Sequence, residues 1–402
     1  MYNELWLNKT EILKKCKNKK ILFWGSGEWI EKTINFLNKK PEYIVDNSPN
    51  IQGDIQRGIK VIPYETVEKD INQYYIIITT GSYHSLIKDL LSKGLFAGEN
   101  FCCSPSMKNL KIRDDILSVD TNILFSVTAS SKYDNGGLYI YNTKKKEYKK
   151  IFKGKSRAIS KSHNYIVMVD EENGLVIFDK DLKFLKQVKL LINSVAHGVA
   201  ISEKLNKIFV ANSGRDSISI FNLNTFTHIQ EISISDKYNS LKEEQHHIND
   251  LYIDENNESL FISMFSFTGN WRKNIYDGGV LEYDLKNKKI IGPIISNMWM
   301  PHSIQMMDNK IIFLDSMRGD LYKTSNKVIG KFNGFIRGFD FDNKYLYIAQ
   351  SSHRYFDRLQ NISLNIPLNC GIYIFDEFTK ASVFHSLSDF ENIHSVIVLD
   401  NE

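Results

Sequence analysis

A chain of 402 residues is longer than one hydrophobic core usually serves, so two domains are expected. With 42% hydrophobic and 24% charged residues the composition is that of an ordinary soluble protein, and a net charge of +4 is too small to call for nucleic acid. No apolar run approaches membrane-spanning length, Met1 to Lys20 holds no signal-type apolar core, and Cys16, Cys102, Cys103 and Cys370 form no CxxC pair; the expectation is a cytoplasmic protein with no membrane partner.

In chain order, Glu4 to Cys16 reads as a helix, with Leu5, Leu7, Ile12 and Leu13 available to cover the next element. Lys20 to Trp24 is a buried-type strand that runs into Gly25-Ser26-Gly27, followed by a helix from Lys32 to Leu37 and a second strand from Tyr43 to Asn47. Asp46 follows Gly25 by 21 residues, which makes half of a dinucleotide fingerprint. The two glycines permit a turn that exposes backbone N–H groups to a phosphate, and Asp46 falls where a ribose hydroxyl is gripped. The third glycine position holds Ile30, which departs from that pattern.

Alternation continues with a strand at Ile59 to Ile62, a short helix at Tyr64 to Lys69, a strand at Tyr75 to Thr79 and a helix at Ser85 to Lys93. Strand alternating with helix predicts a small parallel sheet whose ligands sit at the carboxyl ends of its strands, where Gly25, Gly27, Asp46, Thr80 and Ser82 all fall. The run Val45-Asp46-Asn47-Ser48-Pro49, then Gly53, Gly58 and Val61, resembles the small Rossmann-like domains that accompany bacterial sugar-modifying enzymes. The resemblance covers about residues 18 to 100 and implies an α/β domain over 1–118 that takes a nucleotide or sugar nucleotide; the bare alternative is a tight turn with no ligand. Phe101 to Asp120 reads as a connector.

From 119 to 402 only strand patterns remain. One of them, a polar residue followed by alternating apolar positions, starts at Arg157, His197, Asn249, His302, Arg337 and His394. A second, a Gly or Ser leading an alternating run, starts at Gly137, Gly174, Ser217, Gly279, Gly319 and Gly371. Two interleaved patterns repeated at about 35 to 60 residues predict an all-β six-bladed propeller with loop insertions. Asn122 to Ala129, Gly137 to Asn142 and Tyr148 to Phe152 lack an inner strand, and His394 to Leu399 lacks a blade, so the C-terminal strand is expected to close the ring. Met300-Pro301-His302-Ser303, Leu314-Asp315-Ser316 with Gly319, and Gly334-Phe335-Ile336-Arg337-Gly338-Phe339 resemble a functionally uncharacterised bacterial propeller family, which implies the fold and no reaction.

Inner strands line the axial channel, so His197, His302 and His394, on alternate blades, are expected to converge on the axis. Three neutral imidazoles facing one point suit a divalent transition metal, zinc, iron or manganese, with open positions for water and substrate. Arg157 and Arg337 beside the same axis suit a carboxylate or phosphate, hence a small anionic substrate, and His247, next to His246, is a candidate base or fourth ligand. An anion pocket without metal and a purely structural polar ring are the other readings of the same six positions. His84, His228 and His385 read as packing or surface residues, Asp315 and Asp340 as inter-blade hydrogen-bonding groups, and the insertions around Trp271, Arg272 and Tyr276 and from His353 to Leu368 as shapers of a binding face. Two functions remain open: a metal-dependent lyase, hydrolase or epimerase of sugar or glycan metabolism, and a non-catalytic ligand- or partner-binding scaffold, with a homo-oligomer compatible with either.

Overall fold

The computed structural model describes residues 2–128, 134–324, 327–353, 355–358 and 365–399. Ala129, at the end of an expected strand, and much of the expected insertion from His353 to Leu368 lie outside the described residues. By contacts the chain divides into two compact units, Met1–Ser118 and Val119–Glu402. Among the described residues no helix is long and apolar enough to cross a membrane.

The first unit is built on six strands, β1 Lys20–Trp24, β2 Tyr43–Val45, β3 Ile55–Gln56, β4 Ile59–Ile62, β5 Tyr74–Ile78 and β6 Phe101–Cys103, in the spatial order β3-β4-β2-β1-β5-β6. All neighbours are parallel except β3 with β4. The continuous apolar runs of β1 and β5 follow from burial on both faces. Leu22, Trp24, Ile76 and Ile78 pack into one core, and Ile21, Phe23, Tyr75 and Ile77 into another on the opposite side. The expected first helix is two helices, Tyr2–Leu5 and Lys9–Lys15. Asn8 splits them by a capping box: its side chain accepts from Glu11 N–H at 3.0 Å while the Glu11 carboxylate accepts from Asn8 N–H at 2.7 Å. The expected helix at Tyr64 is two 3-10 turns, Tyr64–Thr66 and Glu68–Gln73, and the expected connector carries β6 and a helix over Lys108–Leu117.

The described residues of the second unit form six four-stranded antiparallel sheets, the blades of a β-propeller. Their innermost strands are Ser156–Lys161, Ala196–Ser202, Ile248–Asp254, Pro301–Met307, Phe335–Phe341 and Ile393–Leu399. The last pairs with Asn122–Val127, from Ile393 opposite Val127 to Leu399 opposite Asn122, so one blade is made from both ends of the propeller sequence. Apolar clusters bridge neighbouring blades: Phe209, Ala211 and Ile220 of one meet Leu251, Ile253 and Ile262 of the next.

Each inner strand breaks its pairing register at one point: between Ser156 and Ile159, Ala196 and Gly198, Ile248 and Leu251, His302 and Ile304, Ile336 and Phe339, and Ile393 and Ser395. These irregularities fall at Arg157, His197, Asn249, Arg337 and His394, and at Ser303 directly after His302, which itself pairs with Leu314. A bulge leaves one residue out of the ladder and re-aims its side chain, which is how six strands of different blades present six polar side chains at one level. The residue that follows is small in five of the six copies, Ala158, Gly198, Ser303, Gly338 and Ser395. At Gly198 a Cβ would stand 2.5 Å from Asn249 O, and at Gly338 2.7 Å from Ser395 Cα, so the inner strands are drawn to backbone contact there.

Candidate functional site

Around the axis the six positions run Arg337, His394, Arg157, His197, Asn249, His302, in blade order. The Arg337 guanidinium meets His394 Nε2 at 2.7 Å, and the Arg157 guanidinium meets His197 Nε2, each pair joining neighbouring blades. Arg157 is also held by Glu171, with Nη2 2.5 Å from the carboxylate. Arg337 is 5% exposed and lies over the Phe335 ring at 5.3 Å. Burial, the Arg157 charge and the nearby His247 hold the His197 pKa well below the usual imidazole range, so this ring is neutral.

His197 and His302 are oriented by the same device on two blades. The Nδ1–H of His197 is shared between Val195 O at 2.8 Å and Ser213 Oγ at 2.7 Å; that of His302 is shared between Met300 O at 2.8 Å and Ser316 Oγ at 2.7 Å. Val195 and Met300 carry positive φ angles of 42° and 56°, which turn their carbonyls back onto the ring two residues later. Nδ1 carries the proton in both, so Nε2 is the basic nitrogen. Ser213 and Ser316 escape a reading of the inner strands because they follow the second strands; the shared signal is Asn212-Ser213-x-Arg215 and Asp315-Ser316-x-Arg318.

His247 joins this mouth through its ring, 4.8 Å from that of His197, 4.2 Å from Phe265 and 4.7 Å from Trp271. Its Nδ1 bonds the Glu244 carboxylate, whose other oxygen meets Arg272 at 3.2 Å. Glu244 is a residue of the candidate site that the sequence reading does not single out, although the three-residue spacing to His247 was available. His246 turns elsewhere: its N–H donates to Asp216 and its Nδ1 meets Ser266 O at 2.9 Å. A chain of rings continues from His247 through Phe265, His302 and Phe335 to His353.

The structure thus brings Arg157, Arg337, His197, His247, His302 and His394 to one end of the channel. Among the described residues no three His, Cys, Asp or Glu groups, the expected ligands His197, His302 and His394 included, stand in an arrangement ready to hold an ion. His197 and His394 direct Nε2 to guanidinium groups, and a cation taking those lone pairs would displace both arginines. Asp340 accepts from Val398 N–H at 2.8 Å across two blades, whereas Asp315 accepts from Trp299 N–H at 3.1 Å within its own blade. At the other end of the inner strands lies a cavity of about 730 Å³ lined by Asp250, Asp254, Asp340 and Asp342 among others.

In the first unit a separate cleft of about 460 Å³ is lined by Gly25, Asp46, Thr80 and Ser82, with Trp24 and Asn47; Gly27 lies on the same turn but outside the lining. Gly25 has φ +109°, and a Cβ there would stand 2.5 Å from Thr80 Cβ. Both Asp46 oxygens are used by the turn, accepting from Ser26 N–H and Ser48 N–H at 2.9 Å.

Residues 179–401, more than half of the chain, match the family described as a domain of unknown function, DUF4915. The chain belongs to this family. No curated protein matches it. Among solved structures it is similar to one described as a nidogen/laminin complex, at 10% identity and a TM-score of 0.51, covering 69% of this chain and 98% of that one. It is also similar to a protein of unknown function from Bacteroides caccae, at 12% identity and a TM-score of 0.50, covering 70% and 100%. At such identities the likeness shows the propeller fold alone.

Proposed function

We propose that the basic mouth of the propeller is the active site of an enzyme that acts on a small anionic substrate, carboxylated or phosphorylated, in sugar or glycan metabolism. The observation that supports the reading best is the Glu244–His247 pair beside two axial guanidinium groups. In it Arg157 and Arg337 grip the anion, and His247, held by the Glu244 carboxylate at Nδ1, moves a proton at Nε2. The Nε2 of His302 adds an acceptor for a substrate hydroxyl, and the neutral His197 braces Arg157.

The test is calorimetry and conversion, followed by NMR, with a panel of hexuronates and hexose phosphates. Arg337→Ala should weaken binding of the active member at least about tenfold, whereas His247→Ala should keep binding and slow turnover about 100-fold. Binding without conversion by the wild type would leave a non-catalytic ligand-binding propeller, and no binding by any member would remove the reading.

A second reading is favoured by one observation. Nδ1–H bonds to carbonyl oxygen also orient metal-bound imidazoles, and His197 and His302 both have them. Zinc, iron or manganese held by His197, His302 and His394 would require Arg157 and Arg337 to swing off Nε2; stoichiometric metal in protein purified without chelator would support it. For the first unit we propose a Rossmann-like nucleotide or sugar-nucleotide site in the cleft at Gly25, Thr80 and Ser82, where Asp46 would exchange a backbone donor for a ribose hydroxyl. Titration with nucleotides and sugar nucleotides that gives no heat would remove it.

A further inference from the structure

The loops at the ring end of the propeller build a second feature beside the polar residues. Residues 265–277 and 352–370 connect strands at the same end as Arg337 and His302, and their described parts enclose a cleft of about 480 Å³, within the range of small-molecule sites. Its lining is Asn274, Tyr276, Asp277, Trp299, Asp357 and Arg358, with Ile275. Trp299 and Tyr276 stand 6.0 Å apart and tilted by 41°, and Arg318 covers Trp299 at 4.9 Å. Arg358 packs against the Tyr276 and Tyr355 rings at 5.6 and 4.9 Å and bonds the Tyr276 hydroxyl. Trp299 and Tyr276 pack on the cluster of Met300, Phe265 and Phe335, the last of which lies under Arg337, so cleft and ring share one wall.

The polar groups of the cleft are mixed in kind. Asp277 and Asp357 accept, Asn274 both donates and accepts, and Arg358 donates. One buried donor of the lining, Arg358 Nε, has no hydrogen-bond partner among the described residues. A buried donor without an acceptor is costly, and an oxygen-rich ligand would satisfy it. Hydroxyl groups both donate and accept, which matches a mixed lining better than a purely accepting or purely apolar group does. Aromatic faces offer flat apolar area to the C–H face of a saturated ring while its hydroxyls point sideways to such partners.

We propose that this cleft is a pyranose subsite, which holds the sugar ring of a ligand whose anionic group is taken at Arg337 and Arg157. The assignment rests on the anion reading above and extends it to a substrate class, a hexuronate or hexose phosphate.

Quenching of tryptophan fluorescence, with calorimetry, tests it with three probes: hexose phosphates and hexuronates of gluco and galacto configuration, inorganic phosphate and acetate, and the neutral methyl hexosides. The sugar anions should bind at least about tenfold tighter than the ringless anions, the equivalent of a single good aromatic contact. Trp299→Ala should bring the sugar anion down to the affinity of the ringless one, and Asn274→Gly, at an exposed position whose φ of 61° glycine adopts freely, should cost severalfold. Equal binding of sugar and ringless anions, or unchanged sugar affinity in both variants, would overturn the subsite and leave the anion reading standing. Neutral hexosides that bind as tightly as the sugar anions, with an unaffected Arg337→Ala variant, would keep the subsite and overturn the anion reading. No binding by any probe would overturn both.

Discussion

Arg157 and His197, 40 residues apart in sequence, meet at Nε2 across the boundary between two blades. A guanidinium never gives up its proton in this setting, so the pairing requires an unprotonated imidazole and fixes the charge of the site at neutral pH.

His353 contributes to the acid dependence of the propeller, alongside His197 and His385, whose burial also lowers their pKa. It is 4% exposed, and burial lowers its pKa from 6.5 to about 4. The unfolded chain therefore binds a proton that the folded one refuses between these values, so stability is fully present above about pH 6.5 and is lost as pH falls toward 4. The loss amounts to about 3 kcal/mol, and urea titrations at pH 7 and pH 4.5 should show most of it in the wild type and much less in His353→Phe. Equal slopes in both proteins would assign the acid sensitivity elsewhere.

Gly198 should not tolerate a methyl group. Its φ is ordinary, so strain plays no part; the obstacle is the Asn249 carbonyl at 2.5 Å and Asp250 Cα at 2.7 Å, both backbone. Gly198→Ala should cost about 1–3 kcal/mol in chemical denaturation by forcing two inner strands apart. A variant as stable as the wild type would mean that the strands separate freely.

Removal of the chain from Ile393 onward takes away an inner strand, the fully buried side chains of Ile393 and Val396, and every partner of Asn122–Val127 on that side. Hydrogen exchange should then lose protection throughout residues 119–392 rather than only in the blade concerned. Protection that persists in the other five blades would show that they fold without the sixth.

In the first unit, Gly25→Ala and Gly27→Ala separate fold from ligand. The first adds a methyl at φ +109° and 2.5 Å from Thr80 Cβ, and should destabilise the unit by about 1–3 kcal/mol. The second meets only Thr79 O at 3.6 Å and should leave the melting temperature within a few degrees of the wild type. Comparable losses in both would show that the turn is tighter than these contacts imply.

The six-bladed all-β architecture was legible because each inner strand carries a polar residue near its start and then alternates, a period that Ile304 and Met306 or Val396 and Val398 display without help from the rest of the chain. The orientation of the ring was not. It depends on Ser213 and Ser316, which arrive from other strands, and on left-handed Val195 and Met300, residue types that rarely mark such a turn. Glu244 was hidden for a different reason: it lies in a loop where a carboxylate has no periodic context, and only the fold sets His247 against His197. The break at Asn8 could have been read from Asn8-x-x-Glu11, and Phe101–Cys103 was too short to stand out from a charged surrounding.

The register breaks at the six inner strands carry a consequence for how such a protein changes over time. Because each axial side chain sits at or beside a register break while regular pairing resumes within two residues, the six positions behave as sockets: an imidazole can be traded for an amide or a guanidinium with little disturbance to the ladder beyond the break. Asn249, between His197 and His302, is such an exchange within a single molecule. The scaffold and its chemistry can therefore drift independently, and relatives with the same blades should be expected to carry different rings.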